Sequence, residues 1–138
     1  MTTVPLTPPY ALEPLSFRFA GLAALAGRAP IGGQREVALA TYVVARLAHD
    51  AAPTRMLPLP VRAERAAAAR NWLASVTLPQ AVRPPLVRVI DRSGGESATA
   101  TAAAVRTVIS VTATYLNPRA RLELAALADL LESQAVAG

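Results

Sequence analysis

Apolar residues recur at helical spacing along most of this chain, and prolines mark where each run stops. Ser16 is placed to cap a first helix over about residues 17–28, which Pro30 and Gly32-Gly33 end. From about 34 to 51, Val37, Ala40, Val44 and Leu47 share one helical face, with Pro53 as the stop. Pro60 opens a third helix over about 61–76. The short apolar run Leu86–Arg92 reads either as two helical turns behind Pro84-Pro85 or as a strand, and stops at Ser93-Gly94-Gly95. Residues of about 97–116 fit two periods, since Val105, Val108, Ile109, Thr112 and Leu116 make a helical face while Thr107, Ile109, Val111, Ala113 and Tyr115 alternate. The Ala-rich first half and the length favour helix. Asn117-Pro118 is a cap followed by a first-turn proline, starting a last helix over about 118–134 with Leu124, Leu127 and Leu131 inward.

These elements predict an all-α fold, an irregular bundle of five to six helices in a single domain over residues 15–138. Residues 1–14, with Pro5, Pro8, Pro9 and Pro14, read as an extended arm. The connections at 53–60 and around Pro79–Pro85 are proline-stiffened and keep the helices from returning as simple hairpins. Composition agrees with helix, because 31 of the 138 residues are Ala. The core this implies is close-packed and short of aromatic anchors.

Charge then narrows the picture. All 14 basic residues are Arg, and half of them lie in residues 55–92: Arg55, Arg62, Arg65, Arg70, Arg83, Arg88 and Arg92. Only Glu64 and Asp91 oppose them there, so the formal excess of +5 belongs to this stretch. Guanidinium groups are planar, permanently charged and suited to carboxylates and phosphates. On a helical wheel of the third helix, Val61, Trp72, Leu73 and Val76 share one side, with Ala68 and Ala69 between them. Arg65 lies within that stripe and Arg62 on its edge. Either these Arg stems snorkel over the core edge, or Trp72 and the arginines form an interface.

The absence of Cys excludes disulfides and thiolate metal sites. The best membrane candidate, 98–116, is rich in Ala and Thr and carries Arg106, so no spanning helix is expected. With no basic leader region at the start, a cytoplasmic location is expected.

Three short motifs invite chemistry. Gly95-Glu96-Ser97-Ala98-Thr99 resembles the G-x-S-x-G nucleophile elbow of α/β-hydrolase esterases, with Leu86–Asp91 in the place of the strand. That resemblance implies a nucleophilic Ser97. It departs from the pattern at Thr99, where the elbow needs Gly, and in chain order, because His49 precedes the serine. Ser97 then reads as a helix cap. Ser93-Gly94-Gly95-Glu96-Ser97 is similar to the SGGxDS phosphate loop of PP-loop nucleotide enzymes but one residue short, and Glu96 sets a carboxylate where the anion would sit. His49-Asp50 is similar to the metal-binding pair of HD phosphohydrolases, a family that needs further His ligands, and this chain has one His.

No enzyme and no cofactor are therefore expected. The leading expectation is a self-associating helical interaction subunit that contacts partners, including an acidic protein, through Arg55, Arg62, Arg65, Arg70, Trp72, Arg83, Arg88 and Arg92. The alternative is a nucleic-acid-binding protein that touches backbone phosphates through residues 55–92, with little sequence preference.

Overall fold

The computed structural model describes residues 19–28, 34–50, 58–93 and 98–137. Within them the chain forms six helices: α1 (Ala20–Arg28), α2 (Gln34–Asp50), α3 (Leu59–Ala74), α4 (Arg83–Ser93), α5 (Ala98–Thr112) and α6 (Pro118–Ala137). The expected all-α bundle is what forms, with no strand among the described residues. The run at Leu86–Arg92 is helical, and so is the fifth element. The arm at 1–14 and the caps expected from Ser16 and Ser97 lie outside the described residues.

The expected one-sided face of α2 is too narrow. Val37, Ala38, Ala40, Thr41, Tyr42, Val43, Val44, Ala45, Leu47 and Ala48 are all buried, which covers most of the circumference and leaves one strip, with Arg35 exposed and Leu39 and Arg46 half-buried. Arg35, Glu36 and His49 lie near its ends, Arg46 stands on the half-buried strip, and Thr41 is a polar residue buried among the apolar ones. The Thr41 hydroxyl donates to the Val37 carbonyl at 2.6 Å, so that polar group is satisfied within the helix. Alanines at 38, 40, 45 and 48 let neighbours approach closely over that buried part. As a result α2 is the axis of the bundle, and each of the other five helices packs against it.

The surrounding helices are positioned by specific polar contacts. α6 starts as the sequence implies, with the Asn117 side-chain oxygen accepting from the Ala120 amide at 2.9 Å. Its inner face, Ala120, Leu124, Leu127, Ala128 and Leu131, is buried. Gln34 at the start of α2 donates to the Tyr115 carbonyl in the α5–α6 turn at 3.0 Å. Arg106 of α5 reaches across to α6, donating to Asp129 at 2.6 Å and to Glu132 at 2.6 and 3.0 Å. These groups are largely exposed, so they orient the α5–α6 pair more than they stabilise it.

α1 has only nine residues and is held differently. Its first-turn amides have no partner within the helix. The Glu123 carboxylate of α6 supplies one, accepting from Gly21 at 2.7 Å and from Leu22 at 2.8 Å. A carboxylate at a helix N-terminus also faces the positive end of the helix dipole. The approach requires Gly21, since a β-carbon there would lie 2.7 Å from Arg119 Cγ and 2.9 Å from Glu123 Oε2. Phe19, Leu22 and Ala26 then bury against α2, with the Phe19 ring edge-on to Tyr42. The Tyr42 hydroxyl accepts from Arg46 at 2.9 Å.

Two expectations follow. Replacing Glu123 with Ala leaves two part-buried amides without acceptors, which costs about 1–3 kcal/mol. Hydrogen exchange should then quicken selectively in α1; uniform quickening along the chain would contradict a local latch. The hydrogen bond from Arg106 holds the Glu132 carboxyl below its ordinary value. Because the folded value is the lower one, this contribution is complete above the ordinary carboxylate range and is lost as pH falls through it. Acid titration of Arg106→Gln should show a weaker pH dependence of α6 exchange than the unmodified chain.

Candidate functional site

The eight residues singled out from the sequence do not form one surface. Trp72 is only 3% exposed and belongs to the core with Ala66, Ala69 and Leu73 of α3. Its spacing from Ala69 and Leu73 places it on the side of α3 that faces α2 and α4. The interface expected from Trp72 is therefore corrected, because its ring is enclosed by its own chain. Ala68, expected to fill the stripe, is exposed instead.

Arg62 is half-buried, while Arg65 is exposed although its wheel position falls inside the apolar stripe. The first turns of α3 lie near the edge of the core, where a long Arg side chain reaches water past it. This is the snorkelling arrangement. Arg55 lies outside the described residues.

Arg83 has a structural task. It donates to the Leu73 carbonyl at 2.8 Å, which also accepts from the Val76 amide, and to the Val76 carbonyl just past the end of α3. The same end is closed by the Ser75 hydroxyl, which donates to the Trp72 carbonyl at 2.6 Å. Arg83 thus fastens the start of α4 to the end of α3, across the extended residues 77–79. Further along, Arg70 of α3 pairs with Asp91 of α4 at 2.6 Å. Arginines thus join the C-terminal part of α3 to both the start and the end of α4.

Arg88 and Arg92 remain. Both are exposed, and neither has a hydrogen bond or ion pair among the described residues. At about 100° per residue they lie roughly 60° and 100° round α4 from Asp91, on the side away from Arg83. Four residues of helical rise set them about 6 Å apart along the axis. The helix beneath is well anchored, since Pro85, Leu86, Val89, Ile90 and Ser93 are all buried.

The motifs that suggested chemistry do not assemble a site among the described residues. His49 is half-buried with its ring edge-on to Phe19, 6.1 Å between centroids. No three His, Cys, Asp or Glu residues gather as a metal site among those described. Ser93 is buried at the end of α4, and residues 94–97 lie outside the described part. No described helix is long and apolar enough to cross a membrane. No family model, curated protein or solved structure matches this chain.

The composition of residues 55–92 signalled the charge excess but not its division between internal fastening and free surface. That division depends on which carbonyls and carboxylates the fold brings near each guanidinium. Trp72→Ala should therefore destabilise the chain by about 3–5 kcal/mol, as for other buried aromatic truncations, while Arg65→Ala changes stability by less than about 0.5 kcal/mol. Urea denaturation of the two variants checks this; equal, small effects would return Trp72 to the surface.

Proposed function

We propose that this chain is a non-enzymatic helical interaction subunit that binds carboxylate-bearing protein partners through α4. The observation that carries this reading is the exposed pair Arg88 and Arg92, one turn apart and without a partner among the described residues. Elsewhere Arg70, Arg83, Arg106 and Arg119 are engaged within the chain, in ion pairs or helix closure. A guanidinium pair on an anchored helix matches carboxylates spaced by one helical turn, each taken up in planar, two-pronged contact.

Magnitude favours carboxylates over nucleic acid. A protein that tracks a phosphate backbone neutralises about 6–10 phosphates, and its affinity falls steeply with salt. Two free arginines beside a carboxylate, Asp91, supply far less than that. Binding to duplex DNA through this surface would carry a salt slope of only about −2.

The test compares poly-L-glutamate with duplex DNA as probes for the full chain at one ionic strength. Arg88→Glu/Arg92→Glu should weaken polyglutamate binding at least about tenfold, and Arg35→Glu, an exposed arginine on α2, should have little effect. Tighter binding to DNA with a slope steeper than about −5 would replace this reading with the nucleic-acid one.

A further inference from the structure

The surface around Arg88 and Arg92 also carries a carboxylate, Asp91. It follows Arg88 by three residues on α4, a spacing that makes the two side chains neighbours. On its other side stands Arg70 of α3, 2.6 Å away. Oδ1 of Asp91 takes that contact, and Oδ2 accepts no hydrogen bond among the described residues. The Arg70 and Asp91 side chains are 59% and 47% exposed, so an incoming partner reaches both. Round α4 the order is therefore Arg70, then Asp91, then Arg88 with Arg92: positive, negative, positive.

A guanidinium pair alone does not separate carboxylate from phosphate, because it takes either in two-pronged contact. Asp91 adds the discrimination. A ligand that is negative all along its length sets a like charge against Oδ2 when it fills Arg88 and Arg92. A ligand with a cation between two carboxylates gains a contact there instead. Such arrangements choose partners as much by the like charges they oppose as by the pairs they form. We infer that this surface selects a helix with two carboxylates one turn apart and a lysine or arginine between them, and that Asp91 makes the selection. The selection rests on the α4 contact proposed above and gives its partner a charge pattern.

Spacing sets that pattern. Arg88 and Arg92 stand about 6 Å apart along the axis, which acids at positions i and i+4 of a helix match. Asp91 lies between them in height and to one side. On the partner this corresponds to position i+1 or i+3, according to the direction in which the helix docks.

The test uses alanine-based helical peptides with Glu at i and i+4, and with Lys, Ala or Glu at both i+1 and i+3. Titrated against the full chain at low salt, the Lys peptide should bind at least about threefold tighter than the Glu peptide, with Ala between. Asp91→Asn should abolish or reverse that order, since Arg70 is then free for a further carboxylate. Any difference in helicity among the peptides would persist in this variant, which makes it the control. Arg70→Gln keeps the Asp91 charge but removes its internal partner, so it should widen the preference. Both substitutions act on exposed groups and leave the fold in place. Arg88→Gln/Arg92→Gln should weaken the Lys peptide at least about tenfold; no weakening overturns the α4 contact and the selection together. Where that pair is required, a preference that is absent, or that survives Asp91→Asn, overturns the selection by Asp91 and leaves the α4 contact standing.

Discussion

Burial of most of the circumference of α2 is the constraint from which the rest of this fold follows. A helix with ten buried side chains between Val37 and Ala48 keeps only the strip of Arg35, Leu39 and Arg46 toward solvent, and the five other helices pack around the rest of it. Each fully buried Val or Leu contributes about 1.5–3 kcal/mol, whereas an exposed ion pair contributes about 0–1. The apolar enclosure therefore sets the arrangement, and the polar contacts refine it. The alanine content serves the same end. Small side chains on α2, α3 and α5 let the helices approach one another without large residues to fill gaps.

Surrounding one helix with five in so short a chain leaves little length for each. α1 is the extreme case, too short to hold itself by propensity and packing chiefly against α2 and α6 among the described helices. Glu123 resolves this by acting as a cap supplied from another helix, and Gly21 is the residue that permits its approach. At the opposite side of the bundle, Arg83 does for the end of α3 what Glu123 does for the start of α1. In both places a charged side chain completes a helix terminus from a distance, so a local sequence reading sees the charge without its partner.

That distinction explains what was legible in the chain. Five of the helices were readable because their signals are local, as where Asn117-Pro118 starts α6 and apolar spacing marks α2; the run at Leu86–Arg92 was left between helix and strand, because a short apolar run fits both. The breadth of burial on α2 was not readable, since Ala38, Ala45 and Ala48 look neutral until neighbours cover them. Leu124, Leu127 and Leu131 were correctly placed inward, yet the same pattern left Leu122 off the face and unremarked. For α3 the wheel grouped Trp72 with Arg65, and wheel position alone does not say how far along the helix the core extends. Burial of Trp72 and exposure of Arg65 follow from that longitudinal limit.

The arginine excess between residues 55 and 92 is two features in one composition. Part of it fastens α3 to α4, through Arg83 on the Leu73 and Val76 carbonyls and Arg70 on Asp91. That fastening gives α4 a fixed position on the core, which is the condition for a surface pair to recognise anything with geometric selectivity. Arg88 and Arg92 stand on the far side of the same helix, oriented by the burial of Leu86, Val89 and Ile90 beneath them. Structural and surface arginines are thus successive faces of one short helix. A guanidinium suits both uses because its charge does not titrate away when it caps a helix end, and its planar fork stays available when it meets a carboxylate. Lysine in the Arg83 position would lose the two-carbonyl grip, and with it the anchoring on which the exposed pair depends.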